Sequence, residues 1–340
     1  MLFRTAQMDD LDSIYQLANQ TGVGLTTLPR DRDFLEKRIQ HARRAFHQAT
    51  SHHTENYYLF VLEDPQTHEV VGVSAIESAV GLSTPFYSYK ISNHSNQCAA
   101  LKIHTQYRML HLVQDYSGAS ELCTLFLRPD YRRDHLGMFL SRARFLYMAL
   151  FPNKFSETII AELRGMSNTR GISPFWSALG KHFFGMSFQQ ADQMTLLSNK
   201  QFITDLMPKM PIYVELLPKS VQKMLGTPLP SSVPAFNILS SEGFVFKNHI
   251  DIFDAGPTIE AMFQQIRTIQ NCSQRTIKKI CPELAGTRQM ISNIKTDFIA
   301  VLGTIVCDPN GNDCSIDQNS AKLLGVSLGD RILTSNGVLI

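Results

Sequence analysis

Residues 120–141 read Ser-Glu-Leu-Cys-Thr-Leu-Phe-Leu-Arg-Pro-Asp-Tyr-Arg-Arg-Asp-His-Leu-Gly-Met-Phe-Leu-Ser, and they limit the fold more than any other stretch of the chain. Residues 122–127 are apolar or small and suit a strand, which Pro129-Asp130 brings to an end. Leu136, Leu140, Ala143 and Tyr147 then recur at helical spacing, predicting an amphipathic helix. Arg132, Arg133 and Gly137 fall on the loop and first helical turn between them. Unpaired N–H groups at a helix start, the helix dipole and two guanidiniums together make a cradle for a polyphosphate.

The rest of the chain must house that unit. At 340 residues it is long enough for two domains, or for one domain and an appendage. Apolar residues make up 44% and charged residues 18%, as in an ordinary globular protein, and a net charge of +2 gives no large electrostatic case for nucleic acid or membrane. The six cysteines, at 98, 123, 272, 281, 307 and 314, form no C-x-x-C pair and have no histidine spacing suited to zinc, so no metal site is expected and the thiols are read as reduced. Arg4, Asp9, Asp10 and Asp12 near the start leave no apolar export signal, and no run approaches the ~18 apolar residues of a membrane span. A cytoplasmic protein is expected.

Along the chain, residues 2–6 read as a strand, and a helix from Asp9-Asp10 runs to about Asn19. Gly22–Pro29 breaks it, and a second helix spans roughly 31–50, its mixed charges reading as a solvated face. Tyr57–Leu62 and Val70–Glu77 are strands joined by a hairpin turn. The polar, poorly periodic segment 83–117 reads as an insertion or long loop. Thr158–Leu163 is a further strand, and Ser173-Pro174 caps a helix to about residue 184. That helix is followed by Gly185-Met-Ser-Phe188, and the helix Ala235–Ser241 by Glu242-Gly-Phe244. Both read as helix, glycine turn and aromatic-led strand, a pattern consistent with two related half-domains. Prolines crowd 205–234 as an irregular linker, 257–270 reads as helix, and beyond about 290 short strands suggest a small β-barrel-like appendage.

A strand, a basic glycine-containing turn and a helix that grips pyrophosphate resemble the way GNAT acyltransferases hold coenzyme A. Transfer of an acyl group from CoA to an amine needs a site for the pantetheine arm, a cradle for the pyrophosphate and a route for the amine proton. Alternation along 121–127 puts Glu121, Cys123, Leu125 and Leu127 on one strand face and Leu122, Thr124 and Phe126 on the other. A splayed strand offers the arm free backbone groups. An α-amine with pKa near ~8 is mostly protonated at neutral pH and must lose a proton before it attacks. His249, His135, Glu121 and Glu77 are the candidates to take it, and Cys123 reads as a packed side chain, since transfer of this type is direct.

Longer blocks are more specific. Thr21–Pro29, Phe60-Val-Leu-Glu-Asp64, Ala75-Ile-Glu77, Gly118–Leu127, Ala161-Glu-Leu-Arg-Gly165, Ser173-Pro-Phe-Trp176, Leu206-Met-Pro-Lys209, Pro211-Ile-Tyr213 and Asp251-Ile-Phe-Asp254 follow in order. They resemble the arginine N-succinyltransferase family as far as about residue 260, with a looser match near Gly325–Arg331. The resemblance implies an α+β GNAT fold, succinyl-CoA as donor, L-arginine as acceptor, N2-succinylarginine and CoA as products, and no permanently bound cofactor. It places a succinyl-CoA contact at Leu125. Glu77, Glu121, Asp251 and Asp254 are the carboxylates available to a guanidinium.

Two departures matter. The family's Arg-x-x-Gly-x-Gly turn is here Arg132-Arg-Asp-His135-Leu-Gly137, with histidine where glycine would accept φ > 0. The family's proton-transfer histidine aligns with Leu229, just before Pro230, and residues 224–234 contain no histidine.

The expectation is therefore a GNAT-like unit over 1–200, a linker and second GNAT-like half over 201–285, and a β-rich subdomain over 290–340. Leu125, Leu127, Arg132, Arg133 and Gly137 would bind the donor, and His249 and Glu121 are the candidate bases. The chain would form a homo-oligomer or pair with a homologous subunit. A catalytically weak or silent CoA-binding subunit of a heteromeric succinyltransferase, or an enzyme preferring ornithine, are the alternatives.

Overall fold

The computed structural model describes residues 1–21, 27–48, 54–168, 171–197, 201–309 and 311–335. Its strands are β1 (Leu2–Thr5), β2 (Tyr57–Glu63), β3 (Val70–Glu77), β4 (Ser88–Cys98), β5 (Ile103–Val113), β6 (Ser120–Leu127), β7 (Thr158–Glu162) and β8 (Ile212–Tyr213). They continue with β9 (Val245–Asp251), β10 (Pro257–Met262), β11 (Cys272–Cys281), β12 (Thr287–Ser292), β13 (Ile299–Cys307), β14 (Asp313–Asp317) and β15 (Arg331–Ser335). All belong to one connected sheet in the order β12-β15-β11-β14-β13-β1-β2-β3-β6-β7-β10-β9-β4-β5-β8.

Three helices frame the central strands: α1 (Leu11–Gln20), α2 (Arg32–His47) and α3 (Leu136–Leu150). Asp31 caps α2 by accepting from the Phe34 N–H at 3.0 Å. The glycine break predicted at 22–29 lies largely outside the described residues, as do the last residues of the helix expected to reach 50. Helix α3 is not amphipathic as predicted: every residue from Phe139 to Met148 is buried, because the helix is enclosed by the sheet, the C-terminal strands and the helix Val233–Ser241. Its Tyr147 ring meets Phe46 of α2 at 5.4 Å and Phe298 at 5.4 Å, within one aromatic-rich core.

Three local expectations are corrected. The segment read as a loop at 83–117 contains the hairpin β4–β5, paired from Ser88↔Val113 to Cys98↔Ile103. Most of its far half is solvated, so no apolar alternation marks it as sheet. Phe188 does not open a strand; it opens the helix Phe188–Leu197. Pro257–Met262 is strand rather than helix, because β7 and β9 pair with it on both sides, and helix is confined to a 3-10 turn at Phe263–Gln265 and to Arg267–Gln270. The cap at Ser173 holds: its Oγ accepts from the Trp176 N–H at 3.1 Å.

Toward the C-terminus, β12 pairs with β13 as well as with β15, so β12, β15, β11, β14 and β13 return on themselves as a closed ring. Ile277, Ile291, Val301, Ile305, Ile316 and Ile332 fill it. This is the β-rich appendage that the sequence led us to expect. Strand β1 joins it to the main sheet, with Leu2 opposite Val301 on one side and opposite Glu63 on the other.

Candidate active site

Strands β6 and β7 run parallel, but they pair only at Ser120↔Ile159 and Glu121↔Ile160. Beyond Glu121 they part, and a cavity of about 530 Å³ opens in the gap. Its wall is formed by Glu121–Phe126 of β6, and Glu162-Leu163-Arg164 at the end of β7 faces them. Ser231 and Ser232 and the turn Asp251–Asp254 add to the lining.

Strand β6 is bulged. Against β3, Cys123 lies opposite Ala75 and Phe126 opposite Val73, so β6 spends three residues where β3 spends two. Thr124 takes the extra step with φ +54°, an unusual angle for a β-branched residue, and its Oγ1 lies 2.8 Å from Tyr57 Oη. The bulge reverses the alternation predicted from the sequence. Leu127 is turned away and packs in the central core, whereas Leu125 stays half-buried on the cavity wall. Burial holds the Cys123 thiol well above its ordinary pKa, with Glu121 and Glu77 adding to the effect, so it remains a neutral packing group.

The basic turn follows. Arg132 reaches the cavity edge and its Nε donates to the Leu127 carbonyl at 3.0 Å. Arg133 is exposed and points elsewhere, with its nearest carboxylate on Asp134 at 3.9 Å. His135 occupies the N-cap of α3 at φ +61° and supplies no side-chain cap, and the first turn of α3 carries no acidic residue. Gly137 lies in that turn beside Leu127. The histidine thus stands in the left-handed conformation that a glycine would have taken without steric cost.

The charged lining is Glu121, Glu162, Asp251 and Asp254 with Arg132, Arg144 and Arg164. Asp254 accepts from the N–H groups of Gly165 and Gly256, both at 2.8 Å. These glycines are required: a Cβ on Gly165 would lie 2.2 Å from the Asp254 carbonyl oxygen, and one on Gly256 2.0 Å from that of Leu163. Burial, and then Asp251, push the Asp254 carboxyl well above the usual carboxylate range. Glu77 sits outside the lining, opposite Glu121 in register and bound to Arg38 at 2.9 Å.

His249 is not part of this wall. It is buried, with Nδ1 3.1 Å from Tyr116 Oη and Nε2 3.0 Å from Asp115 Oδ2, while Tyr116 donates onward to Glu260 at 2.6 Å. The structure therefore brings Glu121, Leu125 and Arg132 together on the cavity and leaves His249, Leu127 and Arg133 off it. Leu229 is close by: its N–H donates to the Arg164 carbonyl at 2.7 Å.

Sequence reasoning gave no role to Arg144, Glu162, Arg164 or Ser231-Ser232. Two arginines, Arg142 and Arg144, inside the otherwise mostly apolar run 139–148 were the available signal for Arg144. Among the described residues no group of three or more His, Cys, Asp or Glu side chains is arranged to hold a metal, and no helix is long and apolar enough to cross a membrane.

The family model described as arginine N-succinyltransferase beta subunit matches residues 1–268. An arginine N-succinyltransferase of Photorhabdus laumondii is 40% identical over 335 residues, covering 98% of this chain and 97% of that protein. One from Yersinia pestis is 43% identical over 341 residues, covering 98% and 96%. The arginine N-succinyltransferase subunit beta of Pseudomonas aeruginosa is 41% identical over 317 residues, covering 91% and 93%. The solved structure of the arginine/ornithine succinyltransferase subunit AI from Pseudomonas aeruginosa superposes with a TM-score of 0.88 at 34% identity, covering 98% of this chain and 97% of that one. The mixed helix-and-strand fold with a C-terminal sheet is shared with that solved subunit, and the chain belongs to the arginine N-succinyltransferase family.

Proposed function

We propose that this chain transfers the succinyl group of succinyl-CoA to the α-amine of L-arginine. The amine nitrogen attacks the thioester carbon, the C–S bond breaks, the CoA thiolate leaves and takes up a proton, and the amine gives one up. The observation that carries the reading is the gap between β6 and β7, with a bulged strand on one side and carboxylates on the other.

In this reading the pantetheine arm lies along β6 past Leu125, and backbone N–H groups near 125–127 polarise the thioester carbonyl. The pyrophosphate rests on the first turn of α3 at Gly137 with Arg132, and Arg133 adds charge from outside. Asp251 and Asp254 are the carboxylates we assign to the guanidinium of the acceptor. Glu121 is the preferred base, directly or through water, because it lines the cavity and His249 does not. No resident cofactor or metal has a part in these steps, and the donor fits a cytoplasmic setting.

Leu229 supports a second reading, a weakly active subunit that depends on a homologous partner for full turnover. Thiol release from succinyl-CoA by the purified chain, with arginine, with ornithine and with no acceptor, tests both. Arginine-dependent release supports the enzyme, faster release with ornithine changes the acceptor, and CoA binding without release supports the dependent subunit.

A further inference from the structure

Arg144 on α3 is 1% exposed, and its hydrogen-bond partners are all uncharged. Its Nη1 donates to the carbonyls of Ala75 at 3.2 Å and Cys123 at 3.4 Å, and its Nε and Nη2 donate to the carbonyl and hydroxyl of Ser141, each at 3.0 Å. Ala75 and Cys123 are register partners, and the extra residue of β6 follows directly after them. One guanidinium therefore holds β3 and β6 at the point where their ladder is about to break. Tyr57 holds Thr124, the next residue, by its side chain.

A cation in this place is a poor choice for stability alone. Burial without a carboxylate lowers the Arg144 pKa to about 10, and an apolar residue would fill the space at less desolvation cost. The cavity supplies the reason to keep it. Cys123, Thr124, Leu125 and Phe126 all line the cavity, as does Arg144 itself. The stretch that Arg144 shapes is the stretch that would meet the acyl group.

We propose that Arg144 is a positioning residue for acyl transfer. By holding the Ala75 and Cys123 carbonyls it keeps β6 bulged at Thr124, and the bulge sets the direction of the N–H groups that meet the thioester carbonyl. It acts through the backbone of β6 rather than on the reacting atoms, and the proposal rests on the acyl-transfer reading above.

The test compares Arg144→Met, Arg144→Lys and Arg144→Met/Thr124→Gly with the unaltered chain. Three quantities are read: kcat and KM for succinyl-CoA, the Kd of CoA by calorimetry, and amide hydrogen exchange of residues 120–128. Arg144→Met should lower kcat by about 100-fold, the scale of a misplaced catalytic geometry. Its Kd for CoA should stay within about threefold, because the phosphate contacts are untouched. Exchange should quicken by about tenfold in 122–126 and not elsewhere in the sheet. Lysine, which keeps one charged donor group, should fall between. Thr124→Gly should return part of the lost kcat, because glycine adopts φ +54° without steric penalty.

An unchanged kcat in Arg144→Met overturns the proposal, as does faster exchange spread through the sheet with kcat and Kd falling together. If the methionine variant does not fold, a lysine variant with full kcat overturns it. If the unaltered chain turns nothing over, the acyl-transfer reading fails, and the exchange pattern alone decides whether Arg144 holds the bulge.

Discussion

The backbone N–H of Leu229 donates to the carbonyl of Arg164 at 2.7 Å, which seats beside the cavity the leucine that the family resemblance sets against its proton-transfer histidine. The neighbouring Gly165 is itself tied to Asp254, so the backbone at 229 is held while its side chain offers no proton acceptor.

Leu229→His should therefore raise kcat by about 100-fold, the low end of what acid–base catalysis contributes. The pH profile should gain an acid limb near ~6.5, the histidine range. Steady-state rates from pH 5.5 to 9 check this, and a flat response would put the proton route elsewhere.

Glu121→Gln and His249→Asn should part company. The first should lower kcat/KM for arginine by about 100-fold at unchanged CoA affinity, since it removes the base we propose. The second should lower stability by about 1–3 kcal/mol while kcat stays within a few-fold, because it breaks a buried network with Asp115 and Tyr116. Urea melts and kinetics on both variants decide, and a large kcat loss confined to His249→Asn would reverse the assignment.

At the phosphate turn, Arg132→Ala should raise KM for succinyl-CoA by about tenfold, with the effect shrinking as salt is added. His135→Gly should stabilise the fold by roughly 0.5–1 kcal/mol. It relieves a left-handed φ of +61°, partly offset by the greater freedom of glycine in the unfolded chain. Urea denaturation measures the gain, and a loss would mean that the His135 side chain holds the turn.

Asp254 gives a stability prediction with a definite sign. Burial first, and Asp251 second, raise its folded pKa above the unfolded value near ~3.9. Its contribution is fully present below that value and is lost as pH rises through the raised one. Asp254→Asn removes one of two acceptors for Gly165 and Gly256 and should cost about 1–3 kcal/mol. The gap between the two proteins should narrow with rising pH. Urea midpoints at pH 5 and 8 test it, and a widening gap is the contrary result.

Local patterns in the sequence revealed the strand–turn–helix at 120–141, the cap at Ser173 and the β-rich tail, because neighbouring residues encode each of them, whereas the left-handed position at 135 was expected only from the family resemblance. The hairpin β4–β5 was hidden because most of its far half is solvated and its residues are polar for that reason. Strand β10 was hidden because its partners, β7 and β9, fix it from outside its own sequence. The bulge escaped for a related reason: Thr124 reads as a good strand residue, and only Arg144, twenty residues on, and Tyr57, far upstream, hold it out of line. His249 looked available because a sequence does not show that both ring nitrogens are occupied.

Strand β1 is only four residues long, yet it carries the contact between the two halves of the sheet. Leu2 must wait for Val301, so this join cannot be made until most of the chain has been synthesised. Up to that moment β1 has one bare margin, with Phe3 of the central core beside it, and a nascent or truncated chain ending near 268 would offer that margin to any passing strand. The residues that line the cavity, the last of them Asp254, would all be present. Shortened forms of this protein should therefore lose solubility before they lose the parts of the catalytic cleft.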